Sequence, residues 1–454
     1  MICLTKLFQQ KRRRIGYILA FSAPTISKRD SSDAKYLPIL LLYVLLVGNV
    51  YYSMRFLTWP PLWHTILNGG VSIFIMGLSV RYFVSNRMTL WKNFPYESFM
   101  YSVLLLYAII SAICLCYESS DFDWRTNITT IGTYALFGLI FVFASQQNFK
   151  YWHRTFIRII PVIIALYFIN WEFTSTMYTY AAFYIIFWKF IPKNRRWILW
   201  LSLLTVIFFP GQRMSLLRVG LVLLLYVAFR YKLLKKWVLR FLYIVLLVVP
   251  IALFIAAAVG GFNIFTAGED TNYTYKTGDT EEENLLDDSR TFLFTEAWES
   301  AERYDSFLLG RGFMNGYYSP FQIRRNEEMN VMTNKTGRLS EVFIINIFTQ
   351  MGFLGVALFF VLIARSAYLG INRSKNKYIP MLGVVVAMQW LFCWIENCNL
   401  VPTMDLIIMY ALIMMCSSPF YRNLTDKEFE REMYDTFNYK SLKKKYNNYV
   451  LTRK

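Results

Sequence analysis

Charge is scarce in this chain. Only 17% of its 454 residues are Asp, Glu, Lys or Arg, against 56% hydrophobic and 19% aromatic. So little charge cannot clothe a soluble fold of this size, which leaves the polytopic membrane class. Histidine is almost missing: His64 and His153 are the only two, too few for a histidine-built metal centre. The six cysteines (Cys3, Cys114, Cys116, Cys393, Cys398, Cys416) fall mostly in apolar runs, without disulfide or zinc spacing, and read as packing or lipid-facing residues. There is no P-loop, no glycine-rich dinucleotide turn and no serine-nucleophile elbow. No cleavable signal is expected either, because the early apolar run Ile15–Phe21 is short and follows a basic KRRR cluster. The formal net charge of +19 could suit nucleic acid, but its placement explains it better.

What the chain has in quantity is apolar runs. Twelve approach the roughly twenty residues that cross a bilayer. They cover 37–54, 63–80, 99–117, 127–145, 156–171, 174–190, 196–210, 214–230, 238–260, 339–364, 378–395 and 402–419. Threading them with the N-terminus in the cytoplasm puts thirty-six of the forty-eight basic residues inside, as the positive-inside rule requires. The expected fold is therefore an all-α polytopic membrane protein of about twelve transmembrane helices. A basic cytoplasmic tail (1–36) precedes helices 1–9 (37–260). One large, partly helical extracytoplasmic loop (261–338) separates helices 9 and 10, helices 10–12 fill 339–419, and a second basic cytoplasmic tail (420–454) closes the chain. Within that tail, Lys443–Lys445 reads as a patch for anionic lipid.

The loop inverts the charge of the rest, with fourteen acidic residues against eight basic ones. Asp287, Asp288 and Ser289 are good helix N-caps, and Phe294, Ala297, Trp298 and Ala301 follow at three- and four-residue spacings. That pattern predicts an amphipathic helix over Ser289–Phe307 lying against the membrane domain. Three glycines then crowd Leu308–Tyr318, a turn where backbone can approach a ligand.

Candidate chemistry gathers at the loop side. Arg213 opens span 8 at its outer end, where the helix dipole opposes a cation unless an anion is bound. The bland alternative is an interfacial arginine snorkelling to water. Arg218 lies farther into the same span. Arg290 opens the loop helix, either as a second anion ligand or paired with Asp287 or Asp288. Lys335, Arg338 and Glu341 cluster where span 10 begins. Glu341 stands there partly desolvated, either as a general base or as an acid favoured by the dipole. Weaker signals are Asp121 and Asp123, with the spacing of a metal–diphosphate motif, and Glu172, Glu396 and Asp405 near outer span ends. Asn127, Asn272 and Asn334 match glycosylation sequons.

In this order and topology the chain resembles the O-antigen polymerase and ligase family of bacterial surface-polysaccharide enzymes. The motifs that carry the resemblance are Arg213 within GQRMS, Ser289-Arg290 followed by an aromatic (Phe294 or Trp298), Gly310-Arg311-Gly312, and Gly352-Phe353-Leu354-Gly355. Ligase-type members carry a His-Asn pair about eleven residues before the last motif, where this chain has Glu341-Val342. That departure favours a polymerase-like member. The resemblance implies transfer of a glycan from an undecaprenyl-diphosphate carrier to a hydroxyl of an acceptor glycan, with neither metal nor cofactor, in the bacterial cytoplasmic (inner) membrane. A chain-length regulator is an expected partner, and nucleic acid is not. Arg213 and Arg290 would hold the diphosphate, Glu341 would act as base, and Arg338, Arg218 and Arg311 would assist. Trp298, Tyr317 and Tyr318 would stack on sugars. The alternatives are a ligase with another acceptor and, from a different class, a lipid-linked glycan flippase. No internal repeat supports the flippase, and the polar candidates sit at one face.

Overall fold

The computed structural model describes residues 74, 76–114, 136–146, 148–155, 157, 182–208, 213–258, 274–277, 281–284, 291–313, 315–320, 323, 337–338, 340, 342–395 and 404–437. Arg290, Lys335, Glu341, Glu172, Glu396, His64, Asp121, Asp123, the three sequon asparagines, Lys443–Lys445 and most of the first two and the fifth expected spans lie outside these residues. What is described is mostly helical.

Continuous apolar runs become helices because every backbone group is then satisfied within its own segment. The elements are α1 (Arg87–Asn93), α2 (Pro95–Cys114), α3 (Arg196–Phe208), α4 (Arg213–Arg230) and α5 (Lys236–Ala258). After the loop come α7 (Phe343–Asn372), α8 (Tyr378–Cys393) and α9 (Met404–Ser417). Two of these, over Lys236–Ile255 and Phe343–Asn372, are long and apolar enough to cross a membrane, and Tyr378–Cys393 and Ile407–Ser417 are shorter apolar helices. Part of the expected span 127–145 is a 3-10 segment, Leu136–Ala144. The loop holds α6 (Thr291–Arg303) and two short antiparallel pairs that the sequence did not announce. These are β1 (Thr274–Thr277) with β2 (Glu281–Asn284), and β3 (Tyr317–Tyr318) with β4 (Gly337–Arg338).

Side-chain contacts fix the directions of the helices. Tyr96 Oη donates to Leu358 O at 2.8 Å, while Tyr107, three turns on, reaches Gln350 O at 2.6 Å, so α2 and α7 run antiparallel. Phe229 meets Tyr378 at 5.5 Å and Arg218 meets Phe392 at 5.1 Å, so α4 and α8 do too. Gly370 and Gly383 let α7 and α8 approach closely, and a Cβ at Gly383 would lie 2.9 Å from Ala367 O. This is the close backbone packing that small residues permit between membrane helices. The bundle therefore has a loop end, with the starts of α4 and α7 and the ends of α2, α5 and α8, and an opposite, basic end.

The basic end holds a surprise. The segment 420–454, expected as a basic tail, begins with α10 (Pro419–Asn423) and α11 (Asp426–Phe437), and α11 is docked on the body. Its Phe429, Met433 and Phe437 recur at four-residue spacing and are buried. The acidic face joins cations of the body: Lys377–Asp426 at 3.5 Å, Lys189–Glu430 at 2.7 Å and Lys150–Glu432 at 2.6 Å. Charge counted over the whole tail hid an acidic amphipathic dozen within it.

Candidate functional site

At the loop end, α6 lies across the ends of three long helices. Leu293, Ala297 and Ala301 are buried at the four-residue spacing of one helical face. Phe294 stacks on Trp394 just past α8 (6.2 Å, 15° between planes) and meets Phe254 of α5 at 5.1 Å. Trp298 stacks on Phe348 of α7 (6.3 Å, 12°). The helix ends earlier than the predicted Phe307, because Asp305 takes a positive φ of 47° and Ser306 N–H returns to Ala301 O at 2.9 Å.

The end of α8 is the shared support. Arg218 is buried, its guanidinium 5.1 Å over the Phe392 ring. Two residues later comes Trp394, which carries Phe294, one turn beyond position 290. One short stretch of chain thus supports both α4, whose first residue is Arg213, and the helix that follows directly on Arg290. Arg338 lies in β4, opposite Tyr317 of β3.

Ser340 and Val342 are both anchored at the head of α7. Ser340 N–H donates to Asn346 Oδ1 at 2.7 Å, Asn346 Nδ2 returns to Ser340 O at 2.8 Å, and Val342 N–H donates to Ser340 Oγ at 3.0 Å. Ser340, Val342 and Asn346 are all buried. Asn346, one of the few polar residues in an apolar helix, was the available signal for this device.

Three expected ligands are engaged inside the protein. Tyr317 is fully buried, so its ring is not open to a sugar as placed. Arg311 donates to Gly316 O at 2.6 Å and covers the Tyr304 ring at 3.6 Å. Tyr318 is tied back, its N–H donating to Ser300 Oγ at 2.9 Å and its ring covered by Arg303 at 4.2 Å. Trp298 remains 45% exposed, which leaves part of the indole free. Among the described residues of the loop, Glu296 is a buried acid, and it accepts from Ser319 Oγ at 2.7 Å.

The two glycine motifs meet each other. Helix α7 breaks at Gly352 (φ 62°, ψ −159°), which frees carbonyls before the break and N–H groups after it. The turn Phe307–Gly312 fills the gap. Arg311 and Gly312 N–H donate to Thr349 O (2.7 Å) and Gln350 O (3.0 Å), while Phe353 and Leu354 N–H donate to Phe307 O (2.8 Å) and Leu308 O (3.2 Å). A Cβ at Gly310 or Gly352 would lie 2.4 Å from the other segment's backbone. Gly352→Ala combines that overlap with a backbone region costing about 1–3 kcal/mol for non-glycine residues. We expect it to lower the thermal midpoint in detergent sharply or to abolish accumulation, whereas Gly220→Ala, with open space around it, leaves both unchanged.

Of the two histidines, His153 is among the described residues. His153 is buried at the basic end beside Phe437, with Nδ1 2.6 Å from Tyr184 Oη. Burial first, then the nearby Arg195 and Arg154, push its imidazole down to about 3, so it stays neutral.

Residues 197–360 match the model of the O-antigen ligase family. The match supports, over those residues, the resemblance read from the motifs. No curated protein and no solved structure matches the chain. The O-antigen ligase domain runs from α3 to the middle of α7, so it holds Arg213, the loop helix and the broken helix. It stops short of α8, whose Phe392, with Trp394 just beyond, supports both. Members of the matched family are membrane glycosyltransferase-like enzymes, and the apolar helices of this chain suit a membrane protein.

Proposed function

We propose that this protein is a surface-polysaccharide polymerase. It takes a glycan from an undecaprenyl-diphosphate carrier and joins it to a hydroxyl of an acceptor glycan. The observation that carries the reading is the O-antigen ligase match over 197–360, which includes two arginine-led helices supported by one end of α8. In the proposed reaction the acceptor oxygen attacks the anomeric carbon, the carbon–oxygen bond to the diphosphate breaks, and the carrier diphosphate leaves. Arg213 and Arg290 meet that leaving group with charge-assisted hydrogen bonds. Glu341 accepts the hydroxyl proton, with Arg338 beside it. This assignment lets guanidinium groups supply the charge that a metal would otherwise bring. Glu341-Val342, where ligase-type relatives have His-Asn, favours polymerase over ligase.

Deleting the gene and resolving surface glycans by electrophoresis tests the reading. Single-unit products with the long ladder gone are expected. Loss of all attached glycan with carrier-linked chains retained would make the protein a ligase, and loss of all surface glycan, single units included, with carrier-linked units trapped on the inner face would make it a flippase.

A further inference from the structure

The turn Phe307–Gly312 sits at a depth where the chain should be helix. Gly352, which it fills, lies nine residues into α7, about 13 Å from the helix start at 1.5 Å per residue. Tyr107, which holds Leu309 O and Gln350 O, lies seven residues before the end of α2, about 10 Å from the same end of the bundle. Two helices thus give the same answer independently. Counting twenty residues back from Arg365, the first cation along α7, reaches Ile345, so Gly352 falls well within a bilayer-spanning length.

At that depth the turn presents the wrong side chains for water. Leu308 is 69% exposed and Leu309 53%; Phe353, whose N–H donates to Phe307 O, and Leu106 and Ile110, which flank Tyr107 along α2, are exposed too. Its polar atoms, in contrast, are withdrawn. The carbonyls of Phe307, Leu308 and Leu309 all accept hydrogen bonds, the N–H groups of Gly310, Arg311 and Gly312 all donate, and the Arg311 side chain folds back to Gly316 and Tyr304. Non-helical backbone is tolerated at membrane depth only where its polar groups find protein partners.

We infer that Phe307–Gly312 is a re-entrant turn whose Leu308 and Leu309 insert among the hydrocarbon chains of the leaflet on the loop side. Its partner is the acyl chain of bilayer lipid, in line with the exposed apolar residues of α2. The inference rests on the membrane character of the chain and not on the proposed transfer reaction. Its consequence is that α6 is moored beside the bilayer, so that a group borne on a lipid reaches it sideways.

The test uses the full chain in lipid nanodiscs. Spin labels go on Leu308→Cys or Leu309→Cys, with Cys3, Cys114, Cys116 and Cys398 replaced by serine and the buried Cys393 and Cys416 retained. Both labels should collide with oxygen far more than with a water-soluble nickel chelate, matching Leu106→Cys, while labels at Glu302 and Asp305 show the reverse. Nickel collision at 308 and 309 equal to that at 302 would overturn the inference, as would protection from both reagents, which would put protein on the turn. A second measurement needs no substitution: phospholipid carrying a photoreactive acyl chain should mark the 307–312 peptide of the wild-type chain. Marking of the Leu106 peptide without it would refute the insertion. Either result leaves the glycan assay, and the reading it tests, untouched.

Discussion

Arg213→Ala and Arg290→Ala are each expected to lower polymer formation about 100- to 1,000-fold, the usual loss when one preorganised donor to a developing negative charge is removed. Protein level should not change, because neither residue is proposed to hold the fold. The physical case is the same at both positions. Each arginine stands at a helix N-terminus, Arg213 as the first residue of α4 and Arg290 immediately before α6. Free N–H groups and the positive pole of the dipole make that the least favourable place for a lone cation and a favourable one for an anion. A bound diphosphate reverses the sign of the problem. Arg→Lys should rescue poorly at both, since an ammonium lacks the planar fork that grips two oxygens. Arg218 provides the contrast. Its guanidinium is buried over Phe392, so Arg218→Ala should reduce protein level along with activity. Full polymer from Arg213→Ala or Arg290→Ala at normal expression would end the diphosphate assignment for that residue.

The parts of this molecule that were legible in the sequence are those set by local pattern. Apolar runs gave helices with ends within a few residues: 196–210 is Arg196–Phe208, 214–230 is Arg213–Arg230, and 238–260 is Lys236–Ala258. The loop helix was visible because Phe294, Ala297 and Ala301 repeat on one face. Long-range pairing was not visible. Gly310 and Gly352 are forty-two residues apart, and nothing local to either says that each exists to admit the other's backbone. The same blindness made Tyr317 look like a sugar platform, since a ring's burial depends on what folds over it. The 339–364 span proved to be Phe343–Asn372, extended past Arg365 because that cation finds buried Glu97 at 2.9 Å on a helix far away in sequence. Helix α11 was hidden by arithmetic, an acidic stretch averaged into a basic tail.

Glu341→Gln is expected to lower the rate of polymer formation about 100- to 10,000-fold, the usual cost of losing a general base. The amide keeps the size and most of the hydrogen-bonding capacity of the carboxylate and removes only its ability to take a proton. The site needs a base in a fixed place. Ser340 is buried and locked to Asn346, and buried Val342 donates to Ser340 Oγ, at the head of α7. A general base must also be ionised to take the proton. The alternative role, a helix-N-terminal acid serving the dipole, predicts something different. A neutral Gln would then cost at most about 1 kcal/mol of stability and leave the rate alone. The two are separated by measuring polymer length and amount in cells carrying the single change, with protein level checked by immunoblot and Asn346→Ala run beside it. Loss of polymer at normal protein level in the Gln variant, with Asn346→Ala losing both, assigns the base to Glu341 and its positioning to Asn346. Wild-type polymer from Glu341→Gln would remove it from the mechanism and move the search to Glu172, Glu396 and Asp405.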